Sequence, residues 1–198
     1  YWVHNHILHD GSGGFPDNCP RDAIDLYRAS KVQKRGLNCR GLAILLSEMY
    51  LSMGWPARFL TCQPKAYNTD NDCHVIDVVW SKQLGKWIWM DPTFAAYVTD
   101  ENGLLLHPGE VRERMINDKP IVLNKDANWN NKNKESQEEY FEYMAKNLYF
   151  LSTYRHNGYH TEGVDESNIY TSLTPVNSVF KGGTIVHDDD FFWQKPQH

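Results

Sequence analysis

A chain of 198 residues with 41% hydrophobic and 13% aromatic residues has the material for a buried core, and its 23% charged residues keep it far from the composition of disorder. A formal net charge of -5, with 20 Lys and Arg against 25 Asp and Glu, excludes the concentrated positive field that phosphate binding needs, so no nucleic-acid partner is expected. No apolar run approaches the roughly 20 residues of a membrane span, and the opening at Tyr1, without an initiator Met or signal-type segment, points to a processed or trimmed product; a preceding export signal, with a periplasmic or cell-surface location, is one option, and the compartment stays open.

Residues 2–8 carry apolar side chains at helical spacing and stop at Asp10-Gly11-Ser12-Gly13-Gly14, which predicts a short helix and then a loop. Residues 20–35 read as a second helix, with Pro20 early, Asp22 and Asp25 in the first turns, Lys31, Lys34 and Arg35 at the end and Gly36 as the stop. The third helix is the best defined. Asn38 suits its N-cap, Leu42, Leu45, Leu46, Met49 and Met53 form an apolar stripe, and Gly54 ends it, so Cys39 falls in the first turn. After Trp55-Pro56, segments 57–62, 74–80 and 86–90 are rich in Val, Ile and Trp and predict an antiparallel meander.

From 124 to 134 the text turns polar and Asn-rich, which predicts a surface connection and an internal boundary. The expected organisation is a core over 1–123 and an extension over 124–198 packed on it, with a helix over 135–154, then turns such as Lys181-Gly182-Gly183 alternating with short strands.

A thiol attacks only as the thiolate, and the positive end of a helix dipole lowers its pKa, so Cys39 is the candidate nucleophile. Gly36, Gly41 and Ala43 leave room beside it for a substrate backbone. A nucleophile also needs a base, and the base a group that fixes its tautomer. If Trp80 and Gly85 bracket a four-residue loop, His74 and Asp91 lie directly across a ladder on one face, their Cβ atoms about 5 Å apart.

These residues resemble the transglutaminase-like superfamily. The likeness covers 36–93, more weakly back to Trp2: Gly36-Leu37-Asn38-Cys39, the helix ending at Gly54-Trp55-Pro56-Ala57-Arg58, His74 on a strand, and Trp89-Met90-Asp91-Pro92-Thr93. It implies an α+β, papain-like fold with the Cys-bearing helix on an antiparallel sheet. It also implies a Cys-His-Asp triad of Cys39, His74 and Asp91 and cysteine-dependent acyl transfer on peptide or protein amides, with no cofactor. Members often carry an aromatic residue two positions after the histidine and an acidic one two further on, where this chain has Ile76 and Val78. A side chain upstream of the cysteine often completes the oxyanion site; Trp2 and Asn5 are the options, and the role stays unassigned. Bacterial stand-alone cores of this kind are often peptidases, which favours hydrolysis. Protein-glutamine transamidation is the alternative, and a catalytically inactive peptide- or glycan-binding module is the rival from another class.

Blander readings stand beside these. His4, His6, His9 and Asp10 resemble a metal cluster but lack a partner cluster and read as a solvated helix; Cys39, Cys62, Cys73 and His74 lack paired zinc spacing. Asp188-Asp189-Asp190 reads as a solvated turn rather than a calcium loop, and Trp87, Trp89, Phe191, Phe192 and Trp193 read as core before cleft. Cys62 and Cys73 bracket a loop; if they pair across the ladder as a disulfide, both lie on the sheet face opposite His74.

Overall fold

The structure, a computed structural model, describes residues 1–156 and 170–196. In chain order these form α1 (Trp2–His6), α2 (Ala23–Gln33), α3 (Cys39–Ser52), β1 (Ala57–Gln63), β2 (His74–Ser81), β3 (Lys86–Met90), β4 (Val98–Thr99), α4 (Pro108–Ile116), β5 (Val122–Leu123), β6 (Asn128–Trp129), β7 (Asn133–Lys134), α5 (Gln137–Asn147), β8 (Phe150–Tyr154), β9 (Tyr170–Leu173), β10 (Thr184–Val186) and α6 (Asp189–Phe192). Among the described residues no helix is long and apolar enough to cross a membrane.

Short polar side chains start the helices by accepting the first free backbone N–H groups: Asp22 accepts from Asp25 N, Asn38 from Gly41 N and Ser136 from Glu139 N. Cys39 is therefore the first residue of α3. That helix packs on β1 and β2, burying Leu42, Ala43, Ile44 and Leu45, a wider face than the expected stripe; Met53 lies exposed at its end.

A six-stranded sheet runs in the order β10-β9-β8-β1-β2-β3. Its pairs are antiparallel except β9 with β10, and the fold is α+β. Alternation sorts the side chains: Phe59 and Val75 join the core beneath α1, α2 and α3, while Leu60, Cys62, Ile76 and Val78 join the core on the other face with Tyr140 and Met144 of α5. Strand β2, next to the edge strand β3, is thus covered on both faces. Of the aromatic group at issue, Trp87, Trp89 and Phe192 are core and Phe191 is exposed.

Four expectations are corrected by packing. The turn between β2 and β3 is bracketed by Ser81 and Lys86; this two-residue change of register puts Asp91 diagonal to His74 rather than opposite it, and because the side-chain period is two both stay on one face. On the other side of β2, Cys62 pairs with His74 and so shares its face, and both Cys62 and Cys73 are free thiols. The helix expected over 135–154 ends at Asn147, and the aromatic and β-branched run that follows, β8, supplies β1 with its second neighbour. The Asn-rich text over 124–134 is a packed hairpin: β6 pairs β7, Asn130 and Asn131 take the left-handed conformation at φ 56° and 55°, and Asn130 is buried.

Gly36 also serves a different end from the one its position suggests. Lys34 itself turns left-handed to close α2, at φ 51°. A side chain at Gly36 would meet the Leu8 carbonyl oxygen at 2.6 Å. This close approach lets residues 8–10 lie alongside Leu37 through Leu37 N–H to Leu8 O and Asp10 N–H to Leu37 O, at 3.0 and 2.8 Å, and carries His9 to the start of α3.

Candidate active site

Cys39 is half-buried at the amino end of α3. Burial pushes its thiol up, but hydrogen bonding by His74 and His9 and the positive charge of the His74 ring more than reverse this, bringing the pKa down to about 6. The other thiols go the other way: burial raises Cys19, Cys62 and Cys73.

His74, the first residue of β2, is buried, with its ring between Phe94 at 5.7 Å and Tyr143 at 5.6 Å. Its Nε2 lies 2.8 Å from Asp91 Oδ2, which leaves Nδ1 for the sulfur. Burial disfavours the imidazolium, yet the Asp91 charge and hydrogen bond, reinforced by Cys39, hold its pKa up to about 10. With the thiol near 6 and the imidazole near 10, the pair rests across the neutral range as thiolate and imidazolium.

Asp91 follows β3, where it bridges to Ala96. Its Oδ1 accepts from Thr93 N at 2.8 Å and Phe94 N at 3.4 Å, and Oδ2 accepts from the Tyr140 hydroxyl at 2.9 Å. Tyr140 in turn accepts from Trp89 Nε1 at 3.0 Å. A chain of bonds thus runs from the β3 core to the sulfur and pins a carboxylate that would otherwise be unsatisfied in a dry setting. Tyr140 stands in the sequence as one apolar position on a helix, and nothing in its spacing marks its hydroxyl.

The structure therefore brings Cys39, His74 and Asp91 together. Trp2 stacks on His6 at 4.2 Å with nearly half its surface exposed, and Asn5 is exposed. The group beside the sulfur is His9, which the sequence reading treats as part of a solvated helix; its signal comes from Trp129 and Asn130, more than a hundred residues away. Ile76 and Val78 are fully buried, so the departure at those positions changes the core rather than a substrate contact.

The N-terminal histidines divide by environment. His4 is buried, bonded to the Thr93 carbonyl oxygen at 3.1 Å and Asn128 Oδ1 at 2.9 Å, tying α1 to the loop after Asp91. His6 sits on the Trp2 carbonyl at 2.8 Å. Among the described residues no group of three or more His, Cys, Asp or Glu side chains is arranged to hold a metal ion. Asp188 caps α6, accepting from Phe191 N at 3.1 Å, and Asp189 pairs with Arg112 at 3.2 Å.

Residues 1–92 match the family model of the transglutaminase-like superfamily. No curated protein matches the chain. Among solved structures it is similar to a candidate cysteine protease from Cytophaga hutchinsonii, with 23% identity and a TM-score of 0.35 over 52% of this chain. The match spans about a third of that protein, 31% of its length.

Proposed function

We propose that the chain, whose residues 1–92 match the family model of the transglutaminase-like superfamily, is a cysteine-dependent acyl-transfer enzyme acting on peptide or protein amides. Cys39 is the nucleophile, His74 the general acid and base, and Asp91 the group that orients the histidine. One observation carries this reading: of four thiols only Cys39 is drawn down, to about 6, beside an imidazole whose far nitrogen sits 2.8 Å from a buried carboxylate.

The Cys39 thiolate adds to the amide carbonyl carbon, and the carbonyl π pair moves onto oxygen, where the backbone N–H at the start of α3 meets it. As the C–N bond breaks, His74 gives its proton to the departing amine and an acyl-enzyme remains. Water, deprotonated by His74, then releases the acid and restores the thiolate. An amine in place of water would give a new amide through the same three residues. Hydrolysis is the primary outcome proposed, with transamidation as the alternative.

Labelling with a thiol-reactive peptide amide mimic, followed by mass mapping, tests the nucleophile. Modification should fall on Cys39 and vanish in Cys39→Ala; labelling spread evenly over the four cysteines would overturn the assignment. Product analysis with and without a primary amine separates hydrolysis from transamidation.

A further inference from the structure

Two imidazoles stand at the start of α3, where both draw the Cys39 thiol down, and the hydrogen bonds behind them differ in kind. Behind His74 stands a carboxylate, Asp91. Behind His9 stands an indole: Trp129 Nε1 lies 3.1 Å from His9 Nδ1. An indole N–H can only donate, so Nδ1 must accept, and the hydrogen of the neutral ring then sits on Nε2, the nitrogen left for the sulfur.

The position is as firmly fixed as the tautomer. The Asn130 side chain holds both backbone groups of His9, Oδ1 accepting from His9 N at 2.7 Å and Nδ2 donating to His9 O at 3.0 Å. On the other edge, residues 8–10 bridge to Leu37, two positions before Cys39. The tip of the β6–β7 hairpin therefore clamps one histidine at the backbone and at the far ring nitrogen, which a purely structural link would not require.

We propose that His9 is a second catalytic imidazole, a fixed Nε2–H donor that serves the Cys39 sulfur at rest and the substrate oxyanion during attack, with Trp129 as the residue that positions it. The role rests on the acyl-transfer reading above. When the S–C bond forms, negative charge passes from sulfur to the carbonyl oxygen, and a donor already aimed at the sulfur needs only a small shift to follow it. His9 keeps its proton throughout; the proton delivered to the leaving amine is that of His74. The two rings thus divide the work, one moving a proton and the other holding charge.

Three variants and two probes test this. In ¹⁵N-histidine spectra of the intact protein, His9 should be the Nε2–H tautomer, and Trp129→Phe should mix in the Nδ1–H form; a wild-type His9 protonated at Nδ1 overturns the proposal. Acylation of Cys39 by p-nitrophenyl acetate should fall about 10²–10³-fold in His9→Leu, the range for loss of one oxyanion donor, but only about tenfold in His9→Gln, whose amide still donates, and in Trp129→Phe. Equal losses in the Leu and Gln variants would indicate a merely structural residue, and a loss under twofold in His9→Leu would remove the role; either overturns it. Iodoacetamide alkylation of Cys39 across pH needs no acyl substrate, and its midpoint should rise by about half to one unit in Trp129→Phe, with His74, Cys73, Cys62 and Tyr143 the other titratable groups around the sulfur. A wild-type protein that alkylates selectively at Cys39 but is never acylated would sink the acyl-transfer reading by itself, while the midpoint and the spectra still decide whether His9 is the fixed donor.

Discussion

Cys39 lies close enough to Cys62 for its charge to raise the Cys62 thiol, yet the two shift in opposite directions. Cys62 is fully buried in the middle of the sheet, where burial and the Asp91 charge push its thiol well up. Cys39 is also largely covered, but two imidazoles and a helix start face it, and it falls to about 6. Burial is common to both, so burial does not make a reactive thiol; donors aimed at the sulfur do.

The largest effect expected from this contrast is in selectivity. At pH 7 a thiol of pKa about 6 is about nine-tenths thiolate, so iodoacetamide should modify Cys39 more than about 10²-fold faster than Cys62, and the Cys39 rate should fall about tenfold per pH unit once the pH drops below 6. Comparable rates would break the contrast. Removing support for His74 comes next: Asp91→Asn should reduce acyl transfer by about 10²–10⁴-fold, as loss of the tautomer-fixing carboxylate does in triads, with little change in fold by circular dichroism. Tyr140→Phe deletes one donor to Asp91 and an acceptor for Trp89, and should lower turnover about three- to tenfold and stability by about 1–2 kcal/mol in urea melts. Unchanged values would show that the bond chain does not hold the carboxylate.

The proximity of the three proposed triad residues was legible because they lie within one stretch of local signals. Asn38 announces a helix start, Gly54 its end, and a Val- and Trp-rich hairpin follows, so Cys39, His74 and Asp91 can be brought together from neighbouring elements alone. The face of the sheet survived an error in the turn because a two-residue slip preserves parity. The supporting groups were not legible. Tyr140, Trp129 and Asn130 come from beyond residue 124, and their roles depend on pairings whose partners lie far off in the chain. An Asn-rich run reads as surface because asparagine favours turns; here the turn folds back onto the site, and one of those amides is spent on the backbone of His9.

The smallest expected effect extends the contrast to a carboxylate. Asp77 lies on β2 three residues from His74 and is fully buried, and burial together with the Asp91 charge outweighs the Ser47 hydroxyl and drives its pKa well above 3.8. A folded-state pKa above the unfolded one means that the native state holds its proton more tightly. Stability is then fully present below about 4 and declines as the pH rises from there toward the folded pKa, because the unfolded chain releases the proton first. Asp77→Asn keeps the shape but carries no titrating proton, so its stability should lack this decline. Urea midpoints should show the variant more stable than the parent at pH 8 and the difference gone or reversed at pH 4. A variant equally destabilised at both pH values would mean that Asp77 contributes through its packing rather than through its proton.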